Sequence, residues 1–176
     1  DDRYLADNTN DTVKQGYQNF NPNLGIAYMA TKQLSFFANG SRSFEIPTIQ
    51  ELYNIDFLGA SYNKDLKPQQ STSVEIGTKM LLAGGKLRTE LSVFNIWLRD
   101  EIIRYQSFEG TAYADNAGKS KRFGIEFSAA AILGKYLTGQ FNYTYARFLF
   151  TDYFTGDGIH DGNQLPGIPS HVFGAG

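Results

Sequence analysis

Residues 135–148 read KYLTGQFNYTYARF. From Leu137 onward, large or apolar side chains alternate with small polar ones. Leu137, Gly139, Phe141, Tyr143 and Tyr145 share one face, while Thr138, Gln140, Asn142, Thr144 and Ala146 share the other. A period of two predicts a β-strand, because successive side chains of a strand point to opposite faces. The alternation recurs. Leu24, Ile26 and Tyr28 fall together, as do Leu34, Phe36 and Ala38, although Phe37 blurs that strand. Val74, Ile76, Thr78 and Met80 oppose Glu75, Gly77 and Lys79. Leu87, Thr89, Leu91 and Val93 oppose Arg88, Glu90 and Ser92, and beyond Phe94 both faces turn apolar. Phe123, Ile125, Phe127, Ala129 and Ala131 oppose Arg122, Gly124, Glu126 and Ser128. QLPGIPSHVFGAG is a last, proline-interrupted candidate. The pattern predicts six or seven long strands and an all-β chain.

The connections alternate in length. Short turns fall near Thr31 and Lys32, at Gly84-Gly85 and around Gly134, and long polar stretches fill 1–19, 45–70, 106–119 and 150–163. Short turns on one rim and long loops on the other are the habit of membrane β-barrels. A two-residue Gly84-Gly85 hairpin would set Ile76 opposite Val93, Thr78 opposite Leu91, Met80 opposite Thr89, and Lys79 opposite Glu90. A second hairpin centred on Gly134 would set Phe127 opposite Phe141, Ile125 opposite Tyr143 and Glu126 opposite Asn142. Both keep the apolar face in register and predict an antiparallel up-and-down meander.

Which face is dry remains open at this point. In a soluble sandwich the apolar face meets a second sheet; in a membrane barrel it meets lipid, and the polar face lines a wet lumen. The polar face carries Glu75, Lys79, Arg88, Glu90, Arg122 and Glu126 at mid-strand, as a hydrated wall would. The apolar face mixes aromatics with Ala, Gly and Thr, which would leave voids in a tight core. Strands of ten or more residues match a tilted bilayer crossing better than a globular sheet. Composition agrees: of 176 residues, 15% are aromatic and 18 are Gly, with no run long enough for a transmembrane helix. A net charge of -2 argues against nucleic acid as a partner. The lack of cysteine excludes a disulfide framework or a thiolate metal site. The two histidines, His160 and His171, have no nucleophile or acid at a catalytic spacing, so an enzyme is not expected, and neither is a cofactor.

Five segments also carry a resemblance when read together and in order. They are NFNPNLGIAYMAT (19–31), GSRSFEIPTIQELY (40–53), LKPQQSTSVEIGTK (66–79), DNAGKSKRFGIEFSA (115–129) and LPGIPSH (165–171). They resemble strand and loop segments of TonB-dependent outer-membrane receptors, with Gln69 where that family usually has Glu. The resemblance implies a 22-stranded transmembrane barrel in the bacterial outer membrane, plugged by an N-terminal domain. It implies active uptake of a scarce nutrient, most often a ferric siderophore, energised by the TonB complex through a TonB box. Residues 1–176 are then expected to form a partial barrel domain from the C-terminal half, with plug and remaining strands lying outside it. The alternatives are a complete small outer-membrane barrel and a soluble all-β binding module, the latter with Phe127, Phe141 and Tyr143 buried under a second sheet.

Candidate sites follow from this frame. In the loop 45–70, Glu51, Tyr53, Asp56, Phe57, Tyr62, Lys64 and Lys67 offer rings that stack on aromatic chelators and cations that attract anionic ones. Arg104, Tyr105, Phe108 and Tyr113 flank another outer loop, as ligand contacts or as an interfacial girdle. The expected ligand contacts are Tyr53, Phe57, Tyr62, Lys64, Tyr105 and Phe108. Glu75, Lys79, Arg88, Glu90, Arg122 and Glu126 are expected to face the lumen, and outer-membrane lipid to meet the opposite side. Asp152, Asp157, His160 and Asp161 lack the spacing of a calcium loop and read as turn chemistry, so no metal site is expected.

Overall fold

The computed structural model describes residues 2–6, 12–56, 59–106, 112–116, 118–155 and 158–176. Its long strands are β3 (Asn23–Met29), β4 (Leu34–Glu45), β7 (Gln69–Leu82), β8 (Leu87–Arg99), β11 (Lys119–Ile132), β12 (Thr138–Asp152) and β15 (His171–Ala175). Shorter hairpins stand between them: β1 (Asp2–Ala6) with β2 (Thr12–Gly16), β5 (Tyr53–Asp56) with β6 (Gly59–Tyr62), β9 (Ile102–Gln106) with β10 (Ala112–Asn116), and β13 (Phe154–Thr155) with β14 (Gly158–Ile159). The long strands make one seven-stranded sheet in the order β15-β12-β11-β8-β7-β4-β3, an unbroken antiparallel meander whose end strands do not pair with each other.

The register between β7 and β8 is the expected one. Ile76 pairs with Val93, Thr78 with Leu91, Met80 with Thr89 and Lys79 with Glu90. The turn is longer than expected, however. Leu82 pairs with Leu87, so residues 83–86 form the loop, with Ala83, Gly84 and Gly85 all at positive φ (50°, 65° and 91°). The centre of symmetry is the same, so the pairing is unaffected. The β11–β12 register differs by two residues from the expected one. Phe127 faces Tyr143, Ile125 faces Tyr145 and Glu126 faces Thr144, while Phe141 faces Ala129. The turn 133–137 centres one residue past Gly134, because Leu133 and Gly134 both donate backbone N–H to the Leu137 carbonyl. A slip of two preserves the faces, since side chains alternate with period two. The weakened second half of β8 also continues as strand to Arg99.

The faces are inverted relative to a soluble protein. On the apolar face, Leu24 is 78% exposed, Ile26 70%, Ile76 56% and Phe173 77%. Phe141 is also exposed, so no second sheet covers it and the sandwich alternative is excluded. The buried wall residues Ser92, Leu98, Ser120, Ala146 and Phe150 lie on the polar face, as a wall that is concave on that side would shelter them, while Thr89 is buried on the apolar face near the short turns. A contiguous apolar face of this size marks contact with another apolar phase.

The polar face has its own packing rule. Phe37 stands directly opposite Gly77, and Phe94 directly opposite Gly124. A Cβ on either glycine would overlap the facing ring, and at Gly77 it would also sit 2.7 Å from the Leu91 carbonyl oxygen. The ring thus lies across the glycine of the next strand. This explains why the Glu75-Ile76-Gly77 and Gly124-Ile125-Glu126 triplets need their glycines. We expect Gly77→Ala to destabilise the wall by about 1–3 kcal/mol through overpacking. Gly124→Ala should be less costly, and Phe94→Leu should rescue it; thermal unfolding followed by the heat-dependent shift in gel mobility checks both.

Candidate functional site

The long stretches expected to be loops are built structures. At the end of the sheet away from the short turns, two hairpins, β5–β6 and β9–β10, join into a four-stranded sheet of order β6-β5-β10-β9. The join is slight, a single register pair between Ile55 and Ala112. This second sheet carries the apolar cluster that the wall lacks. Leu52 and Ala114, with Leu66, are buried, and Tyr53, Tyr62 and Ile102 pack against them.

The sequence shows how each hairpin is anchored. Pro47 is buried, and residues 48–52 make one tight turn. Thr48 and Glu51 cap each other: the Thr48 amide donates to Glu51 Oε2 at 2.7 Å, and the Glu51 amide donates to Thr48 Oγ1 at 3.4 Å. This is the Thr-x-x-Glu reciprocal box. The turn delivers Leu52 into the cluster, and Glu51 reaches across to Arg104 at 3.1 Å. Burial pushes the Glu51 carboxyl up, but hydrogen bonds from Thr48 and the Arg104 guanidinium outweigh it and hold it below the ordinary value of 4.5.

Asn116 closes the other side. Its Oδ1 accepts from the Lys67 amide at 2.7 Å, and its Nδ2 donates to the carbonyls of Lys67 and Asp100, both at 2.8 Å. One amide side chain thus ties together three chain segments. Gly118, at φ 115°, follows; a side chain there would strike the Asp152 carbonyl. The QLPGIPSH stretch is pinned in the same zone. The Leu165 amide donates to the Phe148 carbonyl at 2.9 Å, and His171 Nδ1 lies 2.9 Å from the Tyr143 hydroxyl.

Between the hairpins lies a groove of about 610 Å³, lined by Ile49, Tyr53, Ile55, Arg104 and Tyr113 among others. Of the expected ligand contacts, Tyr53 lines it. Tyr62 does not: it packs edge-on to Tyr53 at 6.0 Å, and burial pushes its phenol above the ordinary value of 10.0. Lys64 sits in an exposed turn, and Tyr105 lies in β9 opposite Tyr113. Phe57 and Phe108 lie outside the described residues. Asp56 ends β5, and Lys67 is held through its backbone by Asn116. Arg104 and Tyr113 belong to this second sheet rather than to a girdle around the wall. The groove residues Ile49 and Ile55 escaped the sequence reading, as did the Asn116 clamp. The Thr48-x-x-Glu51 spacing was a readable signal; nothing local marked Asn116.

The six charged wall residues share the polar face. Lys79 pairs with Glu90 at 3.2 Å and lies 5.2 Å above the Phe37 ring. Glu75 accepts from Asn39 at 3.3 Å, and Arg122 pairs with Glu101 at 2.6 Å. Glu126 borders a cavity with Glu75 and Glu90, and Arg88 lines the short-turn end. In the loop 150–163, Asp161 Oδ1 accepts from the Tyr153 amide at 2.8 Å, and Asp152 pairs with Lys119. Asp157 lies outside the described residues. Among the described residues no cluster of three metal-ligating groups occurs.

These features converge with comparisons to known proteins. The family described as TonB dependent receptor-like, beta-barrel matches residues 1–176. The chain belongs to the TonB-dependent receptor β-barrel family. Among curated relatives it is 25% identical over 150 residues to the metal-pseudopaline receptor CntO of Pseudomonas aeruginosa (strain UCBPP-PA14), a match covering 85% of this chain and 19% of CntO. Among solved structures, the ferric yersiniabactin uptake receptor FyuA of Yersinia pestis superposes with a TM-score of 0.68 at 22% identity, over 94% of this chain and 23% of that one. The ferric-catecholate import receptor Fiu of E. coli K12 gives a TM-score of 0.66 at 22% identity, over 94% and 24%. The chain thus spans about a fifth of the length of the curated relative it matches. Members of this family are outer-membrane transporters and not enzymes, so the exposed apolar face of this receptor segment meets lipid.

Two predictions follow from the anchors. Asn116→Ala should destabilise the loop sheet by about 0.5–1.5 kcal/mol, since it removes hydrogen bonds to the exposed Lys67 backbone and the part-buried Asp100 carbonyl; amide exchange at Lys67 should quicken while that of the wall strands does not. Because the folded Glu51 carboxyl sits below its unfolded value, its stabilising effect is complete above about pH 4.5 and is lost as pH falls through the lower folded value. The protection of the Thr48 amide, its exchange corrected for the intrinsic base-catalysed rate, should therefore fall on acidification below that point, and Glu51→Gln should abolish that pH dependence.

Proposed function

We propose that this chain supplies barrel wall and ligand-facing outer loops to a receptor that takes up a small metal chelate, most simply a ferric siderophore, across the outer membrane. The groove between the two hairpins is the observation that carries this reading. It offers tyrosine faces, an apolar floor and one guanidinium, which suits a compact anionic complex with aromatic or apolar groups. Tyr53, Tyr113 and Arg104 are the side chains we assign to it, with Phe57, Lys64, Tyr105 and Phe108 belonging to the same two loops. The printed names of the relatives support the class: a metal-pseudopaline receptor, a ferric yersiniabactin receptor and a ferric-catecholate receptor.

The rest of the reading concerns passage. The polar face, with Glu75, Lys79, Arg88, Glu90, Arg122 and Glu126, is the hydrated inner wall against which a plug would seat. The Lys79–Glu90 pair is half-exposed and worth at most about 1 kcal/mol, whereas the Arg122–Glu101 pair is more sheltered. The Lys79–Glu90 pair therefore serves to keep the wall wet rather than to hold the fold. Energy would come from the TonB complex, acting on a plug outside this chain.

Binding to the full-length receptor carrying this segment tests the proposal. Tyr113 is exposed and Tyr53 half-buried, so Tyr113→Ala is the cleaner variant. Titration with a ferric catecholate and with a ferric yersiniabactin-type chelate should show Kd raised about tenfold for Tyr113→Ala, and further for the double variant with Tyr53→Ala. Lys64→Ala should change little. Unaltered affinity of the double variant for every chelate that the wild type binds would overturn the reading.

A further inference from the structure

The short-turn end of the inner wall holds a recess that the fold itself does not use. One register row crosses three strands there. Arg88 of β8 pairs with Ala130 of β11, which pairs with Gln140 of β12. The next row continues it, since the Ile132 amide donates to the Lys86 carbonyl at 2.8 Å and Ile132 pairs with Thr138. Period-two alternation puts Lys86 with Arg88, Ile132 with Ala130 and Thr138 with Gln140, all on the polar side of the wall. Together they line a recess of about 490 Å³.

Each residue type has a part. Ala130 is the floor, because a lone methyl group between two long side chains leaves open the space above it. Arg88 and Gln140 stand on either side, two strand spacings or roughly 10 Å apart. Lys86 adds a second cation, Thr138 a hydroxyl and Ile132 an apolar edge. The volume falls within the range of about 300–1,000 Å³ that suits a small molecule. Short turns of a membrane barrel face the periplasm, so the recess lies at the inner mouth of the wall, at the opposite end from the groove between the hairpins.

The donors are uncommitted. Among the described residues, no carboxylate pairs with Lys86 or Arg88, and neither the Gln140 amide nor the Thr138 hydroxyl has a side-chain partner. Residues 76–89 and 127–151 contain no Asp or Glu. The nearest acid along β8, Glu90, is taken by Lys79 at 3.2 Å. The recess is therefore net positive. A forked guanidinium, an ammonium, an amide and a hydroxyl around one small floor form the donor set that holds a carboxylate or a comparable oxyanion.

We propose that this recess is an exit-side site for the metal chelate, taking a negatively charged oxygen group of the complex on Arg88 and Lys86 as it leaves the lumen. The inference rests on the reading that the receptor carries an anionic chelate, and it narrows the class to complexes that keep such a group on their outer surface. The wall between the two sites explains the need. It carries Glu75, Glu90 and Glu126 around one cavity, and these repel an anion. A cationic site beyond them holds the complex once it has passed and opposes its return.

The test uses the full-length receptor in energised cells, with an iron-radiolabelled ferric catecholate and a ferric yersiniabactin-type chelate as probes. A fluorophore on Lys135→Cys, in the turn beside the recess, reports a nearby ferric complex by quenching. In Lys86→Gln with Arg88→Gln, the Kd at the outer face should stay within about twofold of wild type, because the groove lies at the other end of the wall. The maximal uptake rate should fall about tenfold, the loss expected of one charge-assisted contact, and quenching during uptake should vanish. Arg88→Lys should keep most of both. Ala130→Leu, which fills the floor and leaves both charges, should also lower uptake and quenching, and it decides the matter should the Gln pair fail to insert. Uptake and quenching at the wild-type level in these altered receptors would overturn the proposal and leave the outer groove standing. Failure of the wild type to bind either probe would remove the outer-groove reading and this site with it. Increased leakage of a bulky antibiotic through the Gln pair, with no chelate present, would show that the recess holds another segment of the receptor, which also overturns the proposal.

Discussion

The constraint behind this structure is that a wall between lipid and water must satisfy its own backbone. In hydrocarbon an unpaired peptide group costs several kcal/mol, so only ladders closed within the protein are tolerable. The meander β15-β12-β11-β8-β7-β4-β3 meets that demand with continuous antiparallel pairing and short turns of four or five residues. Once the ladder is fixed, side chains have just two destinations. The apolar set goes outward, where it is exposed in the protein taken alone, and the polar set goes inward. A single sheet cannot bury its apolar side against itself, so the apolar core forms elsewhere, in the loops at Leu52, Leu66 and Ala114.

The same constraint explains what the sequence disclosed. Period-two alternation is forced on every crossing strand, so strands, faces and the β7–β8 register were legible from residues alone. The β11–β12 register was not, because Gly134 looked like a turn centre while the backbone closes on Leu137 instead. Face assignment survived that error, since a shift of two is invisible to alternation. The long loops were illegible for the opposite reason. No membrane disciplines their pattern, and their short strands β5, β6, β9 and β10 hold only four or five residues each. Their buried residues are scattered singly among polar ones and read as turn.

The five segments that carried the resemblance divide along this line. Gly77 and Gly124 make room for aromatic rings on the inner wall. Pro47, Thr48, Glu51 and Leu52, then Leu66, then Asn116 and Gly118, then Leu165, all act where a membrane strand becomes a loop. That junction is the hardest place in the molecule to build. Pairing between neighbouring long strands ends there, and the freed backbone groups need side-chain partners or new ladders. A capping box, an asparagine clamp and a left-handed glycine provide them. Motif density is therefore largely a record of local backbone difficulty.

On the reading proposed above, cargo selectivity resides in what the junction leaves variable. The groove is shared by two hairpins from separate loops that meet through the register pair Ile55–Ala112 and the Asn63–Ala114 hydrogen bond. Its bottom edge is fixed by the Glu51–Arg104 pair and the Asn116 clamp. A site made this way can keep its anchors and change its shape by altering a few hairpin residues. On the reading proposed above, receptors built on one wall differ in the chelate they accept through the spacing of the residues that stand here at Tyr53, Ile55, Arg104 and Tyr113 across that seam.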